Sequence, residues 1–182
     1  MHRRKLLQSG LGFAAASAFG ATAFGSKAFA ANEARSVAFH NLHTGESLQA
    51  TYFEAGAYVP DALNALNHLL RDHRTNEVHA IAPNLFDLVA TLRGKLSTDA
   101  VVQVISGYRS PETNAALHAR STGVAAHSLH MDGLATDLRI AGVDLPRIRD
   151  AAWSLQKGGV GFYPQSQFVH VDVGRVRRWQ GA

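Results

Sequence analysis

The sequence predicts an α+β fold, in which a small, mostly antiparallel sheet carries helices packed on it. Three observations support this prediction. Strand-like runs occur in pairs separated by short turns, helix-like segments lie between these pairs, and the chain shows no repeat or coiled-coil heptad. Because strands joined by short turns pair antiparallel, hairpins are expected to form most of the sheet.

Residues 1–30 are predicted to be a cleaved export signal. They begin with the paired basic residues Arg3 and Arg4, continue through an Ala- and Gly-rich apolar stretch, and end in Ala-Phe-Ala at 28–30. The paired arginines and the mild hydrophobicity are typical of a twin-arginine signal. An uncleaved membrane anchor is the alternative, since about 20 apolar residues can span a bilayer. Glycines within the stretch weaken that alternative, so we expect a protein exported to the periplasm.

The mature chain, residues 31–182, is expected to form a single domain without a membrane span. Removal of the signal takes away four basic residues and no acidic one, which leaves 14 of each sign and a net charge near zero. The usual inference from a basic protein to nucleic acid therefore does not apply. The absence of cysteine excludes a thiol nucleophile, a Cys-type zinc site and disulfides.

The first half of the mature chain predicts a hairpin and two helices. Strand-like runs at 36–39 and 48–53 flank a turn at Gly45. Pro60 and Pro83 then open two segments with apolar residues at helical spacing, which indicates amphipathic helices packed on a core.

A strand-to-helix junction follows in the middle of the chain. The β-branched run 101–105 predicts a strand, and Ser110 with Pro111 supplies the N-cap and first residue of a helix. Tyr108 and Arg109 are therefore expected at the junction, with Tyr108 packed in the core.

The second half predicts a strand, a helix and a second hairpin. Residues 135–140 alternate like a strand, and a helix begins near Leu145 and is expected to stop at Gly158-Gly159. Runs at 160–163 and 168–173 then form the hairpin.

A candidate metal site comes from two of these segments. His130 and Asp137 lie across a Gly-containing turn that leads into a strand, so that both side chains can converge on one point. His170 lies on a later strand and shares a face with Phe168 and Asp172. A hydrolytic zinc site needs three such ligands and an open position. The spacing of His130 and Asp137 is weak evidence by itself.

Three motifs in fixed order carry a resemblance to a known family: SGYRS at 106–110, SxHxxGxAxD at 128–137 and FVHVD at 168–172. Together they resemble the zinc peptidases of the D-alanyl-D-alanine carboxypeptidase and hedgehog superfamily. Further matches around 41–46 and 158–161 make the chain similar to the murein endopeptidase K family, which is exported by the twin-arginine route. The resemblance covers nearly the whole mature chain.

The resemblance implies one Zn²⁺ per chain, held by His130, Asp137 and His170. It also implies hydrolysis of amide cross-links between the peptide stems of peptidoglycan, at meso-diaminopimelate. Two alternatives stay open: a zinc-stabilised peptidoglycan-binding module without hydrolysis, and a D,D- or L,D-carboxypeptidase.

The catalytic groups beside the metal are less well defined. Arg109 is expected to stabilise negative charge on the substrate or to bind a substrate carboxylate, and an ion pair that caps the junction is the alternative. Several superfamily members carry a Glu or a second His shortly before the last ligand, whereas residues 165–168 here offer no ionisable group. Asp172 is the nearest remaining carboxylate, either as general base or as a support for a ligand imidazole. His127 could also exchange protons, although a surface role is favoured.

Overall fold

The computed structural model describes residues 33–121 and 123–181. The predicted export signal and its cleavage site lie outside these residues. Within the described ranges, none of the helices has both the length and the apolar character needed to cross a membrane.

The described residues form helices and strands in an α+β arrangement, with strand hairpins near both ends. The helices are α1 (Pro60–Leu69), α2 (Pro83–Lys95), α3 (Pro111–Arg120) and α4 (Leu145–Leu155). The strands are β1 (Arg35–Asn41), β2 (Ser47–Glu54), β3 (Ala57–Tyr58), β4 (Val102–Ser106), β5 (Ala135–Ile140), β6 (Gly159–Tyr163), β7 (Phe168–Asp172) and β8 (Arg177–Gln180).

The strands form one sheet in the order β3-β2-β1-β4-β5-β7-β6-β8. Neighbouring strands pair antiparallel except in the β1–β4 and β6–β8 pairs, which are parallel. The predicted fold class is therefore confirmed. The sheet is wider than predicted because the short edge strands β3 and β8 carry no periodic pattern that the sequence reveals.

The helices begin where the proline signals predict. Each of the four has a proline in its first two positions, where the missing N–H costs no helical hydrogen bond. At α3 the Ser110 hydroxyl also accepts a hydrogen bond from the Thr113 amide at 3.2 Å.

The predicted role of Gly158-Gly159 as the stop of α4 is wrong. The helix ends at Leu155, and Gln156 adopts a left-handed conformation with φ of 52° that turns the chain. The two glycines instead allow β6 to approach Asp172, because a Cβ atom on either would collide with that residue.

The core lies between one face of the sheet and the helices α1, α2 and α4. Tyr52, Phe39, Phe86, Leu66, Leu92, Leu138 and Ile148 are among its largest fully buried side chains. On β7, Val169 and Val171 belong to this core and are at most 1% exposed. Because side chains alternate along a strand, His170 projects from the opposite face, as predicted.

The register of the central strands assembles the functional face. Asp137 on β5 pairs directly with His170 on β7, and Gly161 on β6 pairs with His170 on its other side. Directly paired residues project from the same face about 5 Å apart. The pairing of β5 with β7 therefore brings together side chains that are 33 residues apart in sequence.

Candidate metal centre

The three predicted ligands converge on one point. His130 Nε2 lies 3.2 Å from Asp137 Oδ1 and 3.2 Å from His170 Nδ1, and the latter two atoms are 2.9 Å apart. Ligands bound at about 2.0–2.1 Å around a tetrahedral zinc ion lie roughly 3.3 Å from one another. The three side chains thus have the donor set and spacing that fit such an ion, although their binding of it stays a prediction.

His130 is oriented by a tight turn and by one backbone carbonyl. Gly133 in the turn has a φ of 67°, and a Cβ atom there would collide with the carbonyl oxygen of Ala80. His130 Nδ1 donates a hydrogen bond to the Gly107 carbonyl at 2.7 Å. Since a carbonyl only accepts, the proton is on Nδ1 and the lone pair of Nε2 faces the centre.

Asp137 supplies the negative charge of the centre. Burial raises the pKa of this carboxyl, but His130 and His170 outweigh burial and hold its pKa far below the usual range when their rings are protonated on the side of the centre. A buried carboxylate that stays ionised favours a bound cation at this point. Among the described histidines, only His130 and His170 are buried.

His170 is fixed from behind by Asp172. His170 Nε2 donates to Asp172 Oδ2 at 3.0 Å, which leaves Nδ1 to face the centre. Asp172 is fully buried and also accepts hydrogen bonds from the Gly159 and Gly174 amides and from both Nη atoms of Arg177. Burial raises the pKa of Asp172, but these donors outweigh it and hold the pKa well below its usual range.

This environment does not support the general-base role predicted for Asp172. Both carboxylate oxygens are already hydrogen-bonded, and the residue is absent from the cleft lining. The geometry favours the alternative, in which Asp172 supports the ligand imidazole of His170.

Arg109 lies beside the centre, as the sequence predicts. Its side chain is 11% exposed, and Nη2 is 3.8 Å from Asp137 Oδ2. Burial lowers the pKa of the guanidinium, partly offset by Asp137. The ion pair is formed with the carboxylate of a candidate ligand, so the alternative of a simple cap at the junction is not favoured.

Asn114 on α3 is a functional candidate that the sequence reasoning missed. This buried amide accepts from Arg109 Nη1 at 3.4 Å and donates to the carbonyls of Ala125 and Ala126 at 3.1 and 3.0 Å. It therefore connects Arg109 to the loop over the cleft. An asparagine inside a helix has poor helix propensity, which is a signal that could have identified it.

The centre opens into a cleft of about 330 Å³. Its lining includes Arg109, Val124, Ala125, His127, Ser128, Leu129, Tyr163, Phe168, Arg177 and Trp179. The sequence reasoning did not predict Trp179 in this lining, because this residue belongs to the unpredicted strand β8. Tyr108, by contrast, is buried in the core as expected.

His127 also borders the cleft. Its side chain is 77% exposed, and Nε2 lies 3.5 Å from Asp132 Oδ2. The predicted surface position is confirmed, and the imidazole remains accessible to a substrate.

A centre of two histidines and one aspartate, with a free side in an open cleft and a buried arginine beside it, is typical of metal-dependent hydrolases. Comparison with known proteins identifies the family. Residues 29–179 match the M15 peptidase family model described as peptidoglycan L,D-endopeptidase MepK. The chain belongs to this family of metal-dependent peptidases.

Curated relatives agree with this assignment. The peptidoglycan L,D-endopeptidase MepK of Escherichia coli K12 is 46% identical over 181 residues, which covers 98% of this chain and 97% of the relative. A probable peptidoglycan L,D-endopeptidase MepK of Haemophilus influenzae is 46% identical over 148 residues, with 81% and 80% covered.

Proposed function

We propose that this chain is a zinc-dependent periplasmic endopeptidase that hydrolyses L,D amide cross-links between the peptide stems of peptidoglycan. The observation that carries the proposal is the convergence of His130, Asp137 and His170 at the bottom of a cleft beside Arg109. The names of the relatives support the substrate class and the L,D bond.

Zinc is the metal that suits this donor set. Two imidazole nitrogens and one carboxylate with a free side are typical ligands of catalytic zinc. When bound, such an ion supplies Lewis acidity, which makes water a better nucleophile and withdraws electrons from the scissile carbonyl. No cysteine or serine nucleophile is required.

Arg109 provides the positive charge of the cleft wall. A guanidinium stays protonated and is only weakly screened where it is buried, so it stabilises an oxygen that becomes negative during attack on the amide. It also suits the free carboxylates of meso-diaminopimelate stems. Asn114 holds the guanidinium at Nη1 while Asp137 faces Nη2.

A proton acceptor is needed for the attacking water. Asp172 is enclosed, whereas His127 presents an exposed imidazole to the cleft and has Asp132 beside it. We assign the proton transfer to His127. In a His127→Ala variant, turnover is expected to fall at unchanged zinc content.

The periplasmic location rests on the sequence of residues 1–30. Their basic start, apolar stretch and Ala-Phe-Ala end support export by the twin-arginine route, with cleavage after Ala30. Cell fractionation of the full chain and of an Arg3→Lys, Arg4→Lys variant tests this, since the variant is expected to stay in the cytoplasm as precursor.

The decisive experiment uses the exported, processed chain and purified muropeptides. Dimers with an L,D cross-link are compared with dimers that have a D,D cross-link, with and without chelator, and after zinc is restored. Cleavage of the L,D dimer that stops on chelation and returns with zinc is expected. Full activity after chelation contradicts the metal mechanism, binding without cleavage indicates the binding module, and release of only a terminal residue indicates a carboxypeptidase.

A further inference from the structure

The β6–β7 hairpin places one tyrosine beside the metal centre. Gly161 pairs with His170 and Tyr163 pairs with Phe168, so Tyr163 projects from the same sheet face as His170, two pairs closer to the turn. Its ring stacks on Phe168 at 4.4 Å between centroids. Tyr163 lines the same cleft as the three ligands.

The Tyr163 hydroxyl has a proton available for a further acceptor. Trp179 Nε1 donates to Tyr163 Oη at 2.9 Å, and an indole N–H can only donate. The phenol is therefore the acceptor in this pair, and no described residue accepts its proton. The hydroxyl is thus held in place as an unused donor.

Trp179 is itself firmly positioned. Its indole lies over Gly161, where a Cβ atom would come within 2.6 Å of it, and Arg177 lies over the indole ring at 4.9 Å. This packing fixes the hydrogen bond that directs the Tyr163 oxygen.

None of the turn residues 164–167 is among the side chains that line the cleft. Gln167, three residues before His170, has a φ of 58°, and its side-chain amide donates to the Pro164 carbonyl. Of this hairpin, Tyr163, Phe168 and His170 line the cleft, so Tyr163 is its polar side chain there besides the candidate ligand. Arg109 lines the same cleft, so both groups face the space next to the three candidate ligands.

We propose that Tyr163 is a catalytic residue of the peptidase reaction inferred above. Its hydroxyl donates a hydrogen bond to the substrate carbonyl oxygen as that oxygen becomes negative, from the β6 side of the cleft, while Arg109 acts from the junction of β4 and α3. The step is a hydrogen bond without proton transfer, so it needs no co-reactant. The inference rests on the proposed function.

A donor aimed at developing charge contributes more in the transition state than in the ground state. Loss of the hydroxyl should therefore lower kcat and leave KM nearly constant. Removal of one such donor typically costs about 100-fold or more in kcat. For a neutral phenol we expect a loss of roughly 30- to 100-fold.

The test compares Tyr163→Phe with the unchanged protein and with Tyr58→Phe. The first substitution keeps the ring that stacks on Phe168. The control removes a hydroxyl that donates to Asp87 at the far edge of the sheet. The measurements are kcat and KM on an L,D cross-linked muropeptide, zinc content, and calorimetric affinity for a phosphinate analogue of the cross-link.

Tyr163→Phe is expected to lose kcat and phosphinate affinity by a similar factor, with zinc content and KM within about twofold, while Tyr58→Phe matches the unchanged protein. Unchanged kcat and phosphinate affinity would overturn the proposal. So would a rise in KM alone or a loss of zinc, which mark substrate binding or a structural role. If the unchanged protein cleaves no L,D cross-link, the proposed function fails first and the Tyr163 inference falls with it.

Discussion

Each candidate ligand is held by a second contact on the side away from the centre. His130 is fixed by the Gly107 carbonyl, and His170 is fixed by Asp172. Asp137 has Arg109 near its second oxygen. Ligands oriented in this way need little rearrangement when an ion binds, and loss of a supporting contact weakens the site.

Asp172→Asn tests which role this carboxylate has. The amide keeps the shape but removes the charge that His170 and Arg177 both contact, so His170 loses its fixed orientation. Zinc affinity is expected to fall about 10- to 100-fold, with turnover largely restored at saturating zinc. Competition with a chromogenic chelator measures the affinity.

A matched control is Asp150→Asn, which alters an exposed carboxylate that pairs with Arg149. This control should bind zinc normally. A variant Asp172→Asn that binds zinc normally and has lost turnover would instead restore the general-base role.

Gly133→Ala tests the turn that carries His130. Gly133 and Gly142 both have positive φ, at 67° and 73°, but only Gly133 lacks room for a Cβ atom. Gly142→Ala should cost about 1–2 kcal/mol from backbone strain alone. Gly133→Ala should cost more and also lower zinc affinity, because the Ala80 carbonyl must move. Urea unfolding and zinc titration of both variants check this. Equal losses of unfolding free energy and of zinc affinity in the two variants would show that the clash at Gly133 is relieved without cost.

At the scale of single elements, α3 connects the arginine to the cleft loop through Asn114. Asn114→Asp keeps an acceptor for Arg109 but loses the donors to the Ala125 and Ala126 carbonyls. We expect KM to rise by up to about 30-fold, since two partly buried hydrogen bonds worth about 1 kcal/mol each hold the loop. Asn114→Ala should lower kcat as well, because Arg109 is then released.

Steady-state kinetics and limited proteolysis of the 123–129 loop separate these effects. The loop should be cut faster in both variants and at the normal rate in Asn64→Asp, which changes an exposed residue of α1. If both variants lost kcat equally and the loop were cut at the normal rate, the result would contradict separate contacts of Asn114 with Arg109 and with the loop.

Local patterns were sufficient to predict most elements. Proline at the helix starts and apolar spacing identified the four helices, and alternation identified both hairpins. The ordered motifs predicted the three candidate ligands, which the structure brings together at one point. The strand β8, the contacts of Asn114 and the enclosure of Asp172 depend on register and tertiary packing, which alternation within one segment does not encode. The wrong stop of α4 has the same origin, because the glycines serve a neighbouring strand.

At the scale of the whole molecule, the two faces of the sheet differ: one packs in the hydrophobic core and the other carries the candidate metal centre. On β7, Val169 and Val171 face the core, while His170 faces the cleft. The core includes residues from α1, α2, α4 and the central strands and requires no ligand side chain. The fold is therefore expected to persist without metal, in contrast to small domains that fold only around an ion.

Metal removal should then lower the thermal stability without unfolding the chain. An ion that binds only the folded state stabilises it by about 4 kcal/mol when its free concentration is a thousand times Kd. For a domain of this size that corresponds to a Tm shift of roughly 10 °C. Calorimetry of the exported, processed chain with zinc and with chelator measures the shift, and circular dichroism should show native secondary structure in both.

Two variants serve as controls for the metal site. His130→Ala should abolish the zinc-dependent shift, whereas His68→Ala, which replaces an exposed histidine of α1, should retain it. Loss of secondary structure on chelation would instead show that the fold depends on the metal. If zinc did not shift the Tm of the unchanged protein, the proposed metal centre would be contradicted.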